Sequence, residues 1–285
     1  MYKCYFFLPV LFSQARQRFS LLCRVLHDLS ANIRFAHPKI SNFQVHIYLN
    51  GSQPRHFDLP HYISALQRNT SLNLTITFSA IADKLIAVNR GLEEARNTAS
   101  NLFFCVDNDI LIPRFLLRSM IEIYERDKCE GIVCEKAPVI SKGANKFQLL
   151  YSSFIDLALR SQIFPNRRPT GSFYCVDPYK LHAFPLNCNE GDFLARSKII
   201  HTNGFVYSAY PASLTEEVIR RRRIAKASDS LDYIRDIQNI EFVNYMERFP
   251  PFQRSIQTDF FWESFYLYKQ VIQLMSEGDD GNLIS

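Results

Sequence analysis

Apolar residues recur along this chain in two rhythms, one of period two and one near 3.6. Residues 3–12 are almost wholly apolar and predict a β-strand ending near Pro9. Residues 13–33 carry Phe19, Leu22, Cys23, Leu26 and Leu29 at helical spacing, which predicts an amphipathic helix. Residues 43–49, FQVHIYL, alternate like a strand and stop at the turn signal NGS. Residues 72–80 form another strand-like run. Residues 83–100 are helical in their second half, with Leu92, Ala95 and Arg96 on one face and Glu93 and Glu94 beside them. NLFFCVDND, residues 101–109, returns to strand. Strand, helix, strand, strand, helix, strand is the rhythm of a parallel sheet covered by helices. In such sheets ligands bind beyond the carboxyl ends of the strands.

The rhythm continues past Pro113 with a helix over 114–128 and a strand over 130–140. Residues 141–190 are mixed: a loop, FPNRRPTGS, precedes the strand-like FYCVDP. Ser213 and Thr215 followed by Glu216 and Glu217 form a capping signature, so a helix is expected over 213–226. Residues 231–275 are aromatic-rich and helical in pattern, broken near 250 by RFPPF, and the lone Trp262 lies among them as a packing residue. No internal repeat and no low-complexity segment appears.

Asp107 and Asp109 close the strand at 101–109 with one residue between them. Alternate residues of an extended segment face the same way, so both carboxylates could approach one cation. Like charges side by side are costly to desolvate without a cation or donors. Two readings follow: a solvated strand end, or hard oxygen ligands for Mg²⁺ or Mn²⁺ carrying a nucleotide diphosphate.

Composition bounds the rest. A chain of 285 residues can bury a large core in one α/β domain, with or without an appendage. The net charge of +5 suits anionic small molecules or an anionic membrane face and is too weak to indicate nucleic acid. Seven cysteines at irregular spacing, several in apolar runs and with no CxxC pair, read as buried reduced thiols. That favours a reducing, cytoplasmic compartment. The first fifteen residues loosely mimic a signal peptide, and a first strand explains them equally well. No apolar stretch reaches the ~20 residues of a membrane span.

The block AVNRGLEEARNTASNLFFCVDNDILIP, residues 87–113, resembles the central block of family-2 glycosyltransferases of GT-A fold. There an alanine-x-asparagine-x-glycine helix is followed by a hydrophobic strand, D-x-D and a proline. FFLPVLFSQ resembles the family's first strand with its internal proline, and IYLNGS its second strand end. The resemblance covers roughly residues 3–225. It implies an α/β, Rossmann-like mixed sheet flanked by helices, with a helical C-terminal extension. The expected division is a GT-A domain over 1–228, with a nucleotide-sugar half to about 112 and an acceptor half from 113, then an extension over 229–285.

The resemblance also implies roles. Pro9 and Asn50 would lie at the nucleotide base, Asn89 on the donor side, Asp107 near the ribose and sugar, and Asp109 on the metal. Asn50 replaces the family's usual aspartate, which leaves uridine and guanosine both open. Val88 stands where the family often has arginine. Lys84, just upstream, would supply a charge near the diphosphate, or be a solvated lysine at a helix start. NEGDFLARSK, residues 189–198, resembles the glutamate-aspartate motif that supplies the general base, here Asp192, with Glu190 the alternative. Read on its own, the same cluster is an acidic helix start. Gly171 and Ser172 would contact the acceptor. IRRRRI, residues 219–224, resembles an R-x-x-R element: Arg220 and Arg223 share a helix face and would neutralise the leaving diphosphate. A solvated basic face or an anion-docking patch fits that run as well. His46, His182 and His201 show no ligand spacing and read as structural.

The implied activity is inverting transfer of a sugar, with Mg²⁺ or Mn²⁺, from a nucleotide-diphosphate donor, UDP-sugar first. The acceptor would be a hydroxyl of a glycan or glycolipid, as in bacterial polysaccharide or glycoconjugate synthesis. The implied location is cytoplasmic, with a possible peripheral contact at the inner membrane face. Two rivals remain. A nucleotidyltransferase would carry a glycine-rich phosphate loop after the first strand, and LPVLFSQARQR has no glycine. A non-catalytic scaffold of this fold would dock an anionic surface through its arginines.

Overall fold

A computed structural model describes residues 1–139, 145, 148, 171–185, 190–195, 197–209, 213 and 215–216. The chain divides into two compact units. The first comprises residues 1–136, 168–186 and 190–208; the second, residues 137–167, 187–189 and 209–285, falls mostly outside the described residues. So do Cys188, Arg220, Arg223 and the aromatic tail. Within the second unit the Ser213 hydroxyl accepts from the Glu216 amide at 3.2 Å, the bond that the capping signature implies.

The first unit is built on seven strands: β1 (Tyr2–Leu11), β2 (Ile40–Asn50), β3 (Leu74–Ser79), β4 (Leu102–Val106), β5 (Gly131–Pro138), β6 (Phe173–Val176) and β7 (Ile199–Ser208). Their order across the sheet is β3-β2-β1-β4-β6-β5-β7. β3, β2, β1 and β4 pair in parallel, while β6 runs antiparallel to both β4 and β5. The sheet is therefore mixed. Pro9 lies in β1 beyond its ladder with β4, which runs from Cys4 to Phe7. A residue without an N–H is tolerated best where a strand has run out of a neighbour.

Six helices among the described residues complete the unit: α1 (Phe12–Ala15), α2 (Phe19–Ala36), α3 (Leu59–Arg68), α4 (Lys84–Asn97), α5 (Leu116–Asp127) and α6 (Glu190–Ala195). The single helix expected over 13–33 is interrupted at residues 16–18, and this break frees the Arg18 side chain from the α2 stripe. α3 was not legible as a periodic run. Its signal is local: Asp58 caps it by accepting from the His61 amide at 3.0 Å, and Pro60 sits in its first turn.

Alternation divides the sheet into two faces. Phe6, Leu8, Val10, Phe104, Val106, Phe173 and Cys175 pack with Leu22, Leu26 and Leu29 of α2 and Leu117, Met120 and Ile121 of α5. Tyr5, Phe7, Tyr48 and Phe103 make the opposite, aromatic face. Helix α4 lies close to that face because it carries glycine: a Cβ on Gly91 would stand 2.7 Å from the Phe7 ring. The buried cysteines expected from the apolar runs are found at Cys4, Cys105, Cys129, Cys134 and Cys175, all free, with Cys23 half-buried.

His46 belongs to this aromatic face. Its Nδ1 lies 2.6 Å from the Tyr5 hydroxyl and its Nε2 2.6 Å from Thr77 Oγ1. Burial pulls its pKa from 6.5 down to about 4, so it stays neutral across most of the usual pH range. A base whose folded pKa is depressed takes up its proton on unfolding, and stability then falls as the pH drops from 6.5 towards 4. The loss over that window is on the order of 3 kcal/mol. Chemical denaturation at a series of pH values checks this: His46→Gln is expected to flatten the slope between pH 6.5 and 4, and an unchanged slope would refute the assignment.

Candidate functional site

The site sits at the carboxyl end of β4, where the parallel and antiparallel parts of the sheet meet. Asp107 follows β4 directly, and its amide donates to the Ser172 carbonyl at 2.8 Å, extending the β4–β6 ladder by one rung. Helix α4 delivers Lys84 from its first position, with Asp83 as cap accepting from the Leu85 and Ile86 amides at 2.7 and 3.1 Å. Helix α6 delivers Glu190 from its first position.

These three elements converge on one ammonium group. Lys84 Nζ donates to Asp107 Oδ1 at 2.8 Å, to the Gly171 carbonyl at 2.9 Å and to Glu190 Oε2 at 2.7 Å. All three of its protons are used. It is not the solvated helix-start lysine that was one of the two expectations. Lys84 lies one turn before Val88 and on the same helix face, so the position where the resemblance expects arginine is apolar and the charge enters one turn earlier.

Burial pulls the Lys84 pKa down, but the Asp107 and Glu190 carboxylates outweigh it and hold it well above the ordinary lysine value. Burial likewise raises Asp107, but Lys84 and then Lys136 bring it below the usual aspartate value. Glu190 ends raised: its desolvation, with the Asp107 charge added, exceeds what Lys84 returns. Its other oxygen, Oε1, accepts from the Tyr174 hydroxyl at 2.6 Å and from the Cys105 thiol at 3.8 Å. Glu190 is thus 7% exposed and held from two sides. Gly171 is needed at this spot, since a Cβ there would come within 2.2 Å of Glu190 Oε2.

Asp109 forms a second knot. Its Oδ2 accepts from Arg18 Nη1 at 2.8 Å and its Oδ1 lies 3.9 Å from Lys136 Nζ. Three carboxylates, Asp107, Asp109 and Glu190, therefore meet three side-chain cations, Lys84, Arg18 and Lys136. Among the described residues no group of three or more His, Cys, Asp or Glu gathers as a cation cage. Mg²⁺ or Mn²⁺ can use two carboxylates when substrate phosphates complete its shell; Asp107 and Asp109, the residues expected in that role, are here engaged by Lys84, Arg18 and Lys136.

The other expected residues are placed as follows. Asn50 ends β2, is 1% exposed, and its Oδ1 has no hydrogen-bond partner. Asn89 spends both ends of its amide on Phe184: Nδ2 donates to its carbonyl at 2.8 Å and Oδ1 accepts from its amide at 2.7 Å. In this structure it clamps the 181–185 loop to α4. Ser172 is buried beside Asp107, and Pro9 is buried in β1. The backbone of Asp192 lies in α6, two residues after Glu190. His201 is not isolated: its Nδ1 lies 2.5 Å from the buried carboxylate of Glu135.

Sequence reasoning missed Arg18, Lys136, Tyr174 and Cys105. Strand alternation puts Tyr174 and Ser172 on the face of β6 that also carries Asp107 across the ladder, a usable signal. Arg18 had none.

The fold has counterparts among solved structures. The mannosyltransferase PcManGT from Pyrobaculum calidifontis, in complex with GDP-Man and Mn²⁺, matches with a TM-score of 0.59. The match covers 96% of this chain and 84% of that one, at 12% identity. The fold is the GT-A fold. Two further GT-A matches score lower. S. aureus TarS 1–349 with UDP-GlcNAc gives a TM-score of 0.49 at 14% identity, over 95% of this chain and 81% of that one. Glucosyl-3-phosphoglycerate synthase from Mycobacterium tuberculosis, with Mn²⁺, UDP-Glc and phosphoglyceric acid, gives 0.48 at 15% identity, over 79% and 78%. No protein-family model and no curated protein matches the sequence.

Replacing Lys84 by methionine keeps the stem and removes the charge, leaving Asp107 and Glu190 facing each other. The expected cost is about 2 kcal/mol, below the range for fully buried pairs because Lys84 is partly exposed. Glu190→Gln in the same background should recover part of it, and urea unfolding of the single and double variants measures the coupling. Additive losses would show that Lys84 and Glu190 act separately.

Proposed function

We propose that this protein is an inverting glycosyltransferase of the family-2 type, moving a hexose from a nucleotide-diphosphate sugar to an acceptor hydroxyl. The observation that carries the reading is the Lys84–Asp107–Glu190 knot at the carboxyl end of β4. It places a fixed positive charge and two carboxylates at the edge where sheets of this kind bind ligands.

The donor would lie along the ends of β1, β2 and β4. Asn50 Oδ1, a buried acceptor without a partner, suits a base that offers a ring N–H, as uracil and guanine do and cytosine and adenine do not. Asp107 would receive the ribose and sugar. Asp109, with Asp107, would hold a divalent cation, which when bound supplies charge neutralisation for the diphosphate. Lys84 would orient Asp107, and Arg18 and Lys136 would add positive charge beside Asp109. Arg220 and Arg223 are proposed to meet the leaving diphosphate.

For the base we favour Asp192. A general base needs a free lone pair facing the acceptor hydroxyl. Glu190 has one oxygen committed to Lys84 and the other to Tyr174 and Cys105. Its proposed part is to anchor α6, so that Asp192 is presented from a fixed first turn. Proton removal from the face opposite the diphosphate gives direct displacement with inversion at the anomeric carbon. Gly171 and Ser172 remain the proposed acceptor contacts. The proposed setting is bacterial polysaccharide, glycolipid or glycoconjugate synthesis in the cytoplasm.

The test is a panel of UDP-, GDP-, CMP- and dTDP-sugars with Mn²⁺, read by thermal shift and by released nucleotide. A UDP- or GDP-sugar should raise the melting temperature, and Asp109→Asn should abolish the shift. Asp192→Asn should keep the shift and lower turnover by about 10²–10⁴. A panel without any response, with Asp109→Asn indistinguishable from the parent, would rule the donor site out.

A further inference from the structure

Away from the site, the α2–α5 face of the sheet carries an exposed aromatic pair. Phe35 on α2 is 39% exposed and Phe115, which precedes α5, is 54% exposed. Their rings are in contact, with centroids 4.5 Å apart and planes tilted by 50°. The pair is held from beneath. Asn32 Oδ1 accepts from the Leu117 amide at 3.2 Å, and Asp28 Oδ2 accepts from the Ile112 amide at 3.3 Å. Phe115 takes a left-handed backbone, φ 71°, which a bulky residue rarely adopts. Strain of this kind persists where the surroundings impose it and clusters at functional positions. Here it turns a phenylalanine ring outward.

The charge around the pair is basic. Asp28, Glu122 and Glu125 are each engaged, by Arg24, Arg118 and Lys39 at 3.0, 2.8 and 2.6 Å. Arg34 and Arg114, the residues next to the two phenylalanines in sequence, are exposed and pair with no described residue. Leu21, 45% exposed, lies on the same stripe of α2, as 21, 24, 28, 31 and 35 follow helical spacing.

We propose that this face docks the protein peripherally on an anionic lipid surface, with Phe35 and Phe115 entering the headgroup layer and Arg34 and Arg114 pairing with lipid phosphates. Two side chains of about 200 Å² each, 39% and 54% exposed, offer roughly 200 Å², short of the ~800 Å² per partner that a stable protein interface needs. A bilayer requires no matched partner surface: a few aromatic side chains and uncommitted arginines add to one another on it. No described helix is long and apolar enough to cross a membrane. Lys84 comes from α4, which packs on the opposite face of the sheet. The inference does not rest on the glycosyltransferase reading.

The experiment is co-sedimentation of the full chain with vesicles of phosphatidylcholine alone and of phosphatidylcholine with phosphatidylglycerol. The parent should bind the anionic vesicles and not the neutral ones, and binding should weaken with salt. Phe35→Ser/Phe115→Ser should lower the partition coefficient about tenfold. Arg34→Glu/Arg114→Glu should lower it by at least as much. Both pairs are exposed, and thermal melts confirm that the variants fold. Equal binding to both vesicle types, or anionic binding unchanged in both double variants, would overturn the proposal. A self-association lost in Phe35→Ser/Phe115→Ser, without vesicle binding, would make a second copy the occupant and overturn it too.

Discussion

Three carboxylates brought to one sheet edge would repel and could not be desolvated unaided. The arrangement at the end of β4 exists because Lys84 reaches Asp107, Glu190 and the Gly171 carbonyl at once. Each of those acceptors belongs to a different part of the chain: the end of β4, the start of α6 and the entry to β6. One ammonium group therefore ties the parallel half of the sheet to its antiparallel half. Its charge is kept by the carboxylates against the desolvation that would remove it. The same balance works with opposite sign on Glu190, where desolvation prevails. Two carboxyl groups sharing one lysine are thus driven apart in proton affinity: Asp107 has Lys136 as a second cation, while for Glu190 desolvation and the Asp107 charge prevail.

The rest of the unit serves that geometry. Gly91 lets α4 settle onto Phe7, which sets the height of Lys84 above the sheet. Asp83 caps the helix and fixes where its first residue falls. Asn89 then clamps the loop at Phe184 to the same helix. In the resemblance this asparagine and glycine are motif residues on the donor side. Their observed partners are protein backbone and an aromatic ring, so the motif has a packing reason besides any ligand.

The first four strands, α2 and α4 were legible, and α3 was not, because parallel strands buried on both faces read as apolar runs and α2 and α4 carry clean helical stripes. Asp107, Asp109 and Glu190 were legible as acidic residues closing or opening such elements. Arg18 was not: it sits at a break within what the periodicity presented as one helix, and breaks of that kind are set by tertiary contact. α6 and β7 lie where the pattern is mixed, since IIHTNGFVYS interrupts its alternation with Asn203 and Gly204. Lys84 had two readings, and only the fold could choose, because its partners are 23 and 87 residues or more away along the chain.

β6 runs against its neighbours, so its beginning and not its end reaches the site edge. Residues 171 and 172 therefore meet Asp107 only after the chain between them has been made and folded back. Parallel pairing of β1 with β2 and β4 can proceed from the first 106 residues alone. The order of assembly follows from this. The Lys84–Asp107 and Arg18–Asp109 pairs can form early, and the knot is completed only when the long-range closure of β6 and α6 brings Gly171 and Glu190. Completion of the knot depends on that long-range closure, and a chain interrupted before residue 190 would hold the Lys84–Asp107 pair without the second carboxylate that shares its lysine.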